Sequence, residues 1–262
     1  MYKSIKIDQP IFIIGVGRSG TTLLQSMLNA HSKIIFPPET HFFRNYIANP
    51  KVNKNLLNEN LKWFKNKLFN DENLLKLDID LENIFDLLME QSNFSLINFY
   101  KRILMKYSEN QNKTIIGDKD PKNIENLKEI NKYFPQANIL HIIRDPRDVL
   151  LSRMKAEWSK DRHYFLHIMA YREQLRFGRN WGPKLFQENY HELFYEELIE
   201  NPRKELKKIT NRLNINYDEK MLYFNKKADE IIKGEETKWK KNCFKPVMKS
   251  NKNKWKKNLS KK

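Results

Sequence analysis

The stretch from Ile11 to Leu24, IFIIGVGRSGTTLL, constrains this chain more than any other. Four consecutive apolar residues read as a strand buried on both faces, and Leu23, Leu24, Met27 and Leu28 then recur with the spacing of a helix packed on a sheet. Between them, Gly15, Gly17 and Gly20 let the backbone curl so that successive N–H groups converge. The following helix adds its unpaired N-terminal amides and its dipole, so the loop is built for an anion. Arg18, Ser19, Thr21 and Thr22 supply a cation and three hydroxyls around the same point. Gly15 and Gly20 occupy the glycine positions of a G-x-x-x-x-G-K-[ST] nucleotide loop, yet Thr21 stands where the lysine belongs. The anion cradle is present; the lysine of triphosphate chemistry is not.

The rest of the pattern extends this α/β beginning. Ile34-Ile35-Phe36 reads as a short strand ended by Pro37-Pro38, and Thr114 to Gly117 and Asn138 to Ile143 as further strands. A helix is expected from about Pro121 to Phe134, another from Asp145-Pro146 to about Trp158, and a third over roughly 163–180. Leu193-Phe194-Tyr195 is expected as the last strand, before a helix opened by Asn201-Pro202. Residues 44–113 differ: rich in asparagine and lysine and poor in glycine and proline, they read as a helical insertion. Strands alternating with helices imply a mostly parallel sheet whose ligands lie at the carboxyl ends of the strands. At 262 residues, the chain is read as one domain, 1–262.

Composition narrows the partners. The net charge is +17, and residues 233–262 hold twelve lysines against two glutamates, a surplus of ten. Charge alone leaves a solvated basic surface and an anion-facing segment equally open. No run approaches the length of a membrane span, no leader precedes the first strand, and Cys243 has no second cysteine to pair with. The expectation is a cytoplasmic protein without a membrane anchor. His163 and His167 share a helical i, i+4 spacing but lack the HExxH glutamate, so they read as a plain helix face.

A second chemical segment is IIRDPRDVLLSR, Ile142 to Arg153. Arg144 leaves the end of a central strand, where a guanidinium can grip a phosphate bidentately, Asp145 caps the next helix, and Ser152 lies two turns into it. Arg147 and Asp148 read as packing or surface pairing. Together the two segments resemble the sulfotransferases that use 3′-phosphoadenosine 5′-phosphosulfate (PAPS). The run RSGTTLLQSMLNAHSKIIFPPET is most similar to the tyrosylprotein and bacterial branch.

The resemblance implies a P-loop-NTPase-like three-layer fold. Gly17 to Thr22 would hold the 5′-phosphosulfate, and Arg144 and Ser152 the 3′-phosphate. It makes Glu39 the general base and gives Arg18 and Lys119 the charge of the transition state. It sets Tyr195 near the adenine and Lys245, in a lid over 233–262, above the donor. Transfer is expected in line to a hydroxyl of a sugar, a lipid or small alcohol, or a tyrosine, leaving 3′-phosphoadenosine 5′-phosphate (PAP), with no metal and no nucleic acid involved. The chain departs from the tyrosylprotein pattern twice: His41 and Ala156 stand at arginine positions. The first departure weakens the case for a protein acceptor, and the second leaves Arg153 or Lys155 to replace the second phosphate arginine. His41 competes with Glu39 as the base because an imidazole performs that task in the small-molecule branch of the family. Two rivals remain: a P-loop kinase or NTPase, which requires a lysine at Thr21, and a basic nucleic-acid-binding protein, which would be indifferent to Glu39.

Overall fold

The computed structural model describes residues 5, 7–57, 60–230 and 245–258. The rest of the basic tail, with Cys243, lies outside them. The order is β1 (Ile11–Gly15), α1 (Thr21–Asn29), β2 (Ile34–Ile35), then a π-helical turn at Phe43–Ile47. α2 (Pro50–Leu57), α3 (Leu61–Phe69), α4 (Glu72–Leu75), α5 (Leu81–Glu90) and α6 (Leu96–Asn110) follow. Next come β3 (Ile115–Lys119), a 3-10 turn at Pro121–Glu125, α7 (Leu127–Tyr133), β4 (Asn138–Ile143), α8 (Pro146–Met154) and α9 (Tyr164–Phe186). β5 (Tyr190–Phe194), α10 (Tyr195–Glu200) and α11 (Pro202–Arg212) complete the α/β part, and α12 (Trp255–Asn258) lies near the C-terminus.

The five strands form one sheet in the order β2-β3-β1-β4-β5, with every pairing parallel. Alternation along β1 feeds two cores. Ile11 and Ile13 join Leu24, Met27, Leu28, Leu198 and Leu206 on one face, while Phe12 and Ile14 face Phe43, Tyr100 and Phe134 on the other. Both faces are covered by helices, which explains why β1 is apolar at every position rather than at alternate ones. This is the expected P-loop-NTPase-like α/β fold with three layers.

The helices of the insertion share the second core rather than building a separate one. Phe42 stacks on Tyr46 and Tyr100 at 4.8 and 4.7 Å, and Phe43 meets Phe12 at 5.7 Å. Several boundaries differ from expectation; α8 ends at Met154 rather than about Trp158, and α9 runs on to Phe186. The 121–134 helix is broken at Asn126, whose backbone (φ −112°, ψ 22°) is not helical, into the 3-10 turn and α7. β3 continues through Asp118 to Lys119, which pairs with Ile13. The last strand runs Tyr190–Phe194, so Tyr195 opens α10 instead of ending the strand.

Candidate active site

Four strand ends converge on one cleft: β1 enters the glycine loop, β3 ends at Lys119, β4 leads to Arg144 and β5 to Tyr195. The cleft encloses about 990 Å³. In the loop, Gly20 holds φ 101°, and a β-carbon there would lie 2.3 Å from the Tyr195 ring, so both conformation and space require glycine. Gly17 faces open space in the cleft, where an added β-carbon meets nothing within 4 Å. Arg18 has φ 82°, a left-handed conformation that costs a non-glycine residue about 1–3 kcal/mol. Its Nε donates to Ser152 Oγ at 3.0 Å, joining the two sequence motifs across 134 positions.

Arg144 sits at the centre of the half of the cleft that borders the glycine loop. It donates to the Arg18 carbonyl at 3.2 Å and to the Asn251 carbonyl at 2.6 Å, and its guanidinium lies 4.3 Å from the centre of the Tyr195 ring. Its Nε is buried without a hydrogen-bond partner. This orphaned donor suits an anionic ligand. The C-terminal segment closes this half: Val247, Met248 and Asn251 line the cleft. Arg147 and Asp148 hold the segment down. The Arg147 guanidinium stacks 3.5 Å over the Trp255 ring, and Asp148 accepts from the Trp255 backbone N–H at 2.9 Å.

Glu39 is aimed by α1. Asn29 both accepts from the Phe36 N–H (2.6 Å) and donates to its carbonyl (3.0 Å), and Gln25 donates to the Pro37 carbonyl at 2.9 Å. The stretch before Glu39 is therefore fastened to the helix that follows the anion loop. Lys119, fully buried, forms a close ion pair with Glu39 and reaches Thr22 Oγ1 at 3.5 Å, so it stands between the carboxylate and the loop. His41, at φ 53°, has its Nδ1 2.7 Å from Asp120 Oδ2 and its Nε2 3.9 Å from Glu39 Oε2. Asp120 is itself fixed by the Lys122 N–H at 3.0 Å, and Arg44 lies 3.8 Å away. Beneath it, burial, with Asp120 adding to it, raises the Asp118 carboxyl to about 6.

The cleft thus brings together Gly17, Arg18, Gly20, Thr21, Thr22, Glu39, Arg144, Ser152 and Tyr195. Lys119 adjoins it through Glu39. Ser19 is buried behind the loop, with its N–H on the Val16 carbonyl. Lys245 is exposed and outside the lining; Pro246 next to it and Lys254 are within. His163 and His167 serve separately: His163 caps α9 by accepting from the Phe165 N–H, and His167 Nε2 lies 3.2 Å from the Ser159 carbonyl.

Sequence reasoning passed over Gln25, Asn29, Asp120 and Asn251, and it gave Arg147 and Asp148 no part in the site. Two polar residues on the buried stripe of α1 were the available signal for the first pair. Glu39, His41 and Asp120 offer ligand atoms within 4.8 Å of one another, as a metal site would. Lys119 and Arg44 already supply positive charge there, so the trio does not fit a divalent cation well.

The model described as the sulfotransferase family matches residues 10–219. Protein-tyrosine sulfotransferase A of Caenorhabditis elegans is 27% identical over 218 residues, covering 81% of this chain and 52% of the relative. Protein-tyrosine sulfotransferase 1 of Danio rerio is 24% identical over 223 residues, 82% of this chain and 56% of the relative. The chain spans about half the length of these relatives. In solved structures, the sulfotransferase domain of the curacin biosynthetic pathway matches with a TM-score of 0.69 at 20% identity, over 95% of this chain and 90% of the domain. The sulfotransferase domain of the Synechococcus PCC 7002 olefin synthase gives 0.67 at 22% identity, over 98% and 91%. At these identities the likeness is one of fold. Among the described residues, no helix is long and apolar enough to cross a membrane.

Proposed function

We propose that this protein, which belongs to the sulfotransferase family, moves the sulfuryl group of PAPS to an acceptor hydroxyl. The observation that carries the reading is the placement of Lys119, fully buried, in contact with Glu39 on one side and within 3.5 Å of Thr22 of the anion loop on the other. That contact pattern supports Glu39 as the base and Lys119 as the cation where an acceptor would meet a phosphosulfate lying in the loop.

The acceptor oxygen forms a bond to sulfur while the bond from sulfur to the bridging oxygen of the 5′-phosphate breaks. The electron pair stays with the departing PAP, and the acceptor proton passes to Glu39. Lys119 and Arg18 neutralise charge on the bridging and sulfuryl oxygens, and the loop amides hold the phosphate. Positioning and electrostatics supply most of the acceleration, as in phosphoryl transfer. Arg144 and Ser152 hold the 3′-phosphate, Tyr195 borders the adenine, and the segment containing Lys245 closes above the donor. Asp120 orients His41, which stands ready to relay the proton from Glu39 outward. No metal has a part in this scheme, and the lone Cys243 fits a reducing, cytoplasmic setting.

The test is an assay with sulfur-labelled donor, in the presence of a chelator, against pooled glycans, lipids and tyrosine peptides, with mass spectrometry of whatever gains a sulfate. Transfer to a hydroxyl is the expected result. Magnesium-dependent ATP turnover without sulfate transfer would replace this reading with the kinase one.

A further inference from the structure

Beyond the donor half, the cleft is lined by Arg153, the last residue of the IIRDPRDVLLSR segment, together with Trp158 and Arg162, which neither motif includes. Arg153 is 7% exposed, and its Nε and one Nη are buried without a hydrogen-bond partner. Among the described residues, no carboxylate pairs with Arg153 or Arg162. Arg153 instead faces another cation: burial and then Arg162 hold its guanidinium below the usual arginine range, and burial and then both arginines lower the nearby His167. A buried charge with no counter-charge and unmade hydrogen bonds is among the costliest arrangements a fold retains. The backbone is built around it, since the Arg153 carbonyl accepts from Ser159 Oγ at 2.6 Å and the Trp158 ring lies 5.6 Å from the guanidinium.

We propose that Arg153, with Arg162 and the Trp158 ring, forms a second anion subsite in this cleft, and that it holds an oxyanion carried by the acceptor. The class of acceptor is then a hydroxyl compound that also bears a carboxylate, phosphate or sulfate. This rests on the sulfotransferase reading of the donor half. Helix geometry separates the subsite from the donor's 3′-phosphate. Asp148 and Ser152, four apart, share the face of α8 that looks toward Arg18 and the C-terminal segment. Arg153 lies roughly 100° further round, nearer the side on which Val149 packs with Tyr171 of α9. Its neighbours Trp158, Arg162 and His167 come from the connection into α9 and from α9 itself.

The probe is inorganic phosphate, titrated against chloride at equal ionic strength, with melting temperature as the readout, on the full chain with and without saturating PAP. The expected result is a phosphate-dependent rise that persists in the PAP-saturated wild type and falls to a third or less in Arg153→Gln and in the exposed-site variant Arg162→Gln, while the PAP Kd changes less than threefold. Arg162→Gln keeps the test open if Arg153→Gln fails to fold. An unchanged phosphate response in the variants overturns the proposal. So does a loss of more than tenfold in PAP affinity with adenosine 5′-phosphate unaffected, which would assign Arg153 to the donor. A wild type that binds no PAP sinks the sulfotransferase reading instead, and the phosphate response of the variants still reports on the subsite.

Discussion

The two halves of the cleft are built differently. The donor half is made of strand ends and main chain: the loop from Gly15 to Thr22, the Arg18 and Asn251 carbonyls that position Arg144, and the turn into Tyr195. The other half is made of side chains gathered from separate elements: Glu39 and His41 after β2, Asp120 after β3, Arg153 at the end of α8 and Arg162 before α9. A backbone cradle tolerates change around it as long as the turn survives. A side-chain constellation depends on its partners, and around the base each member is held by another: Glu39 by Lys119, His41 by Asp120, and Asp120 by the Lys122 N–H. Substitutions in the donor half should therefore be read in binding, and those around Glu39 in turnover.

The largest expected effect is on chemistry. Glu39→Gln keeps shape and removes basicity, and should lower turnover by about 10²–10⁴-fold with PAP affinity nearly intact. His41→Asn should cost much less, as fits a group that relays rather than takes the first proton. Steady-state kinetics and PAP calorimetry on both variants check this, and a reversed order of losses transfers the role of base to His41.

A second prediction asks whether loss of function in acid belongs to the cleft or to the whole fold. His141, fully buried in β4 with its Nδ1 2.6 Å from the Tyr190 hydroxyl, has its pKa lowered by burial to about 4. Its ordinary value is about 6.5, so the folded protein binds fewer protons than the unfolded chain between these pH values. Stability from this residue is present above about pH 6.5 and is lost as pH falls toward 4, by roughly 3 kcal/mol. Asp118, raised to about 6, has the opposite sign: its contribution is present below about pH 3.8 and is lost as pH rises through 6. Denaturant titrations across pH 4–7 should show a flatter acid limb for His141→Gln and a steeper one for Asp118→Asn.

In the donor half, Arg144→Ala should weaken PAP by about 10–100-fold, because charge-assisted hydrogen bonds are worth about 1.5–3 kcal/mol each. Adenosine 5′-phosphate, which lacks the 3′-phosphate, should lose far less in the same calorimetry. Equal losses for both ligands would remove Arg144 from the 3′-phosphate and blur the line between the halves. Gly17→Ala should weaken PAP about tenfold, roughly 1.4 kcal/mol, with an unchanged melting temperature, since the new methyl would enter open space that the ligand needs. Trp255→Ala removes the stack on Arg147 and should cost about 0.5–1 kcal/mol of PAP affinity, visible as a few-fold change in Kd.

Local sequence determined the strand, the glycine loop and the helix after it, because each rests on short-range causes: apolar runs, conformational freedom at Gly20, and a proline and cap at Asp145-Pro146. It also brought Arg144 and Ser152 to one place, since a single run of nine residues at a strand end and helix start carries both. What it left undecided were the contacts made across the sheet. Arg18 meets Ser152, 134 positions away, because β4 lies beside β1, and Glu39 meets Lys119, 80 positions away, because β3 lies between β2 and β1. No local pattern encodes that strand order. The break at Asn126, the turning of Arg147 and Asp148 toward Trp255, and the burial of Arg153 were decided in the same way. The free energy of each depends on which distant segment covers it, and only the folded chain brings that segment there.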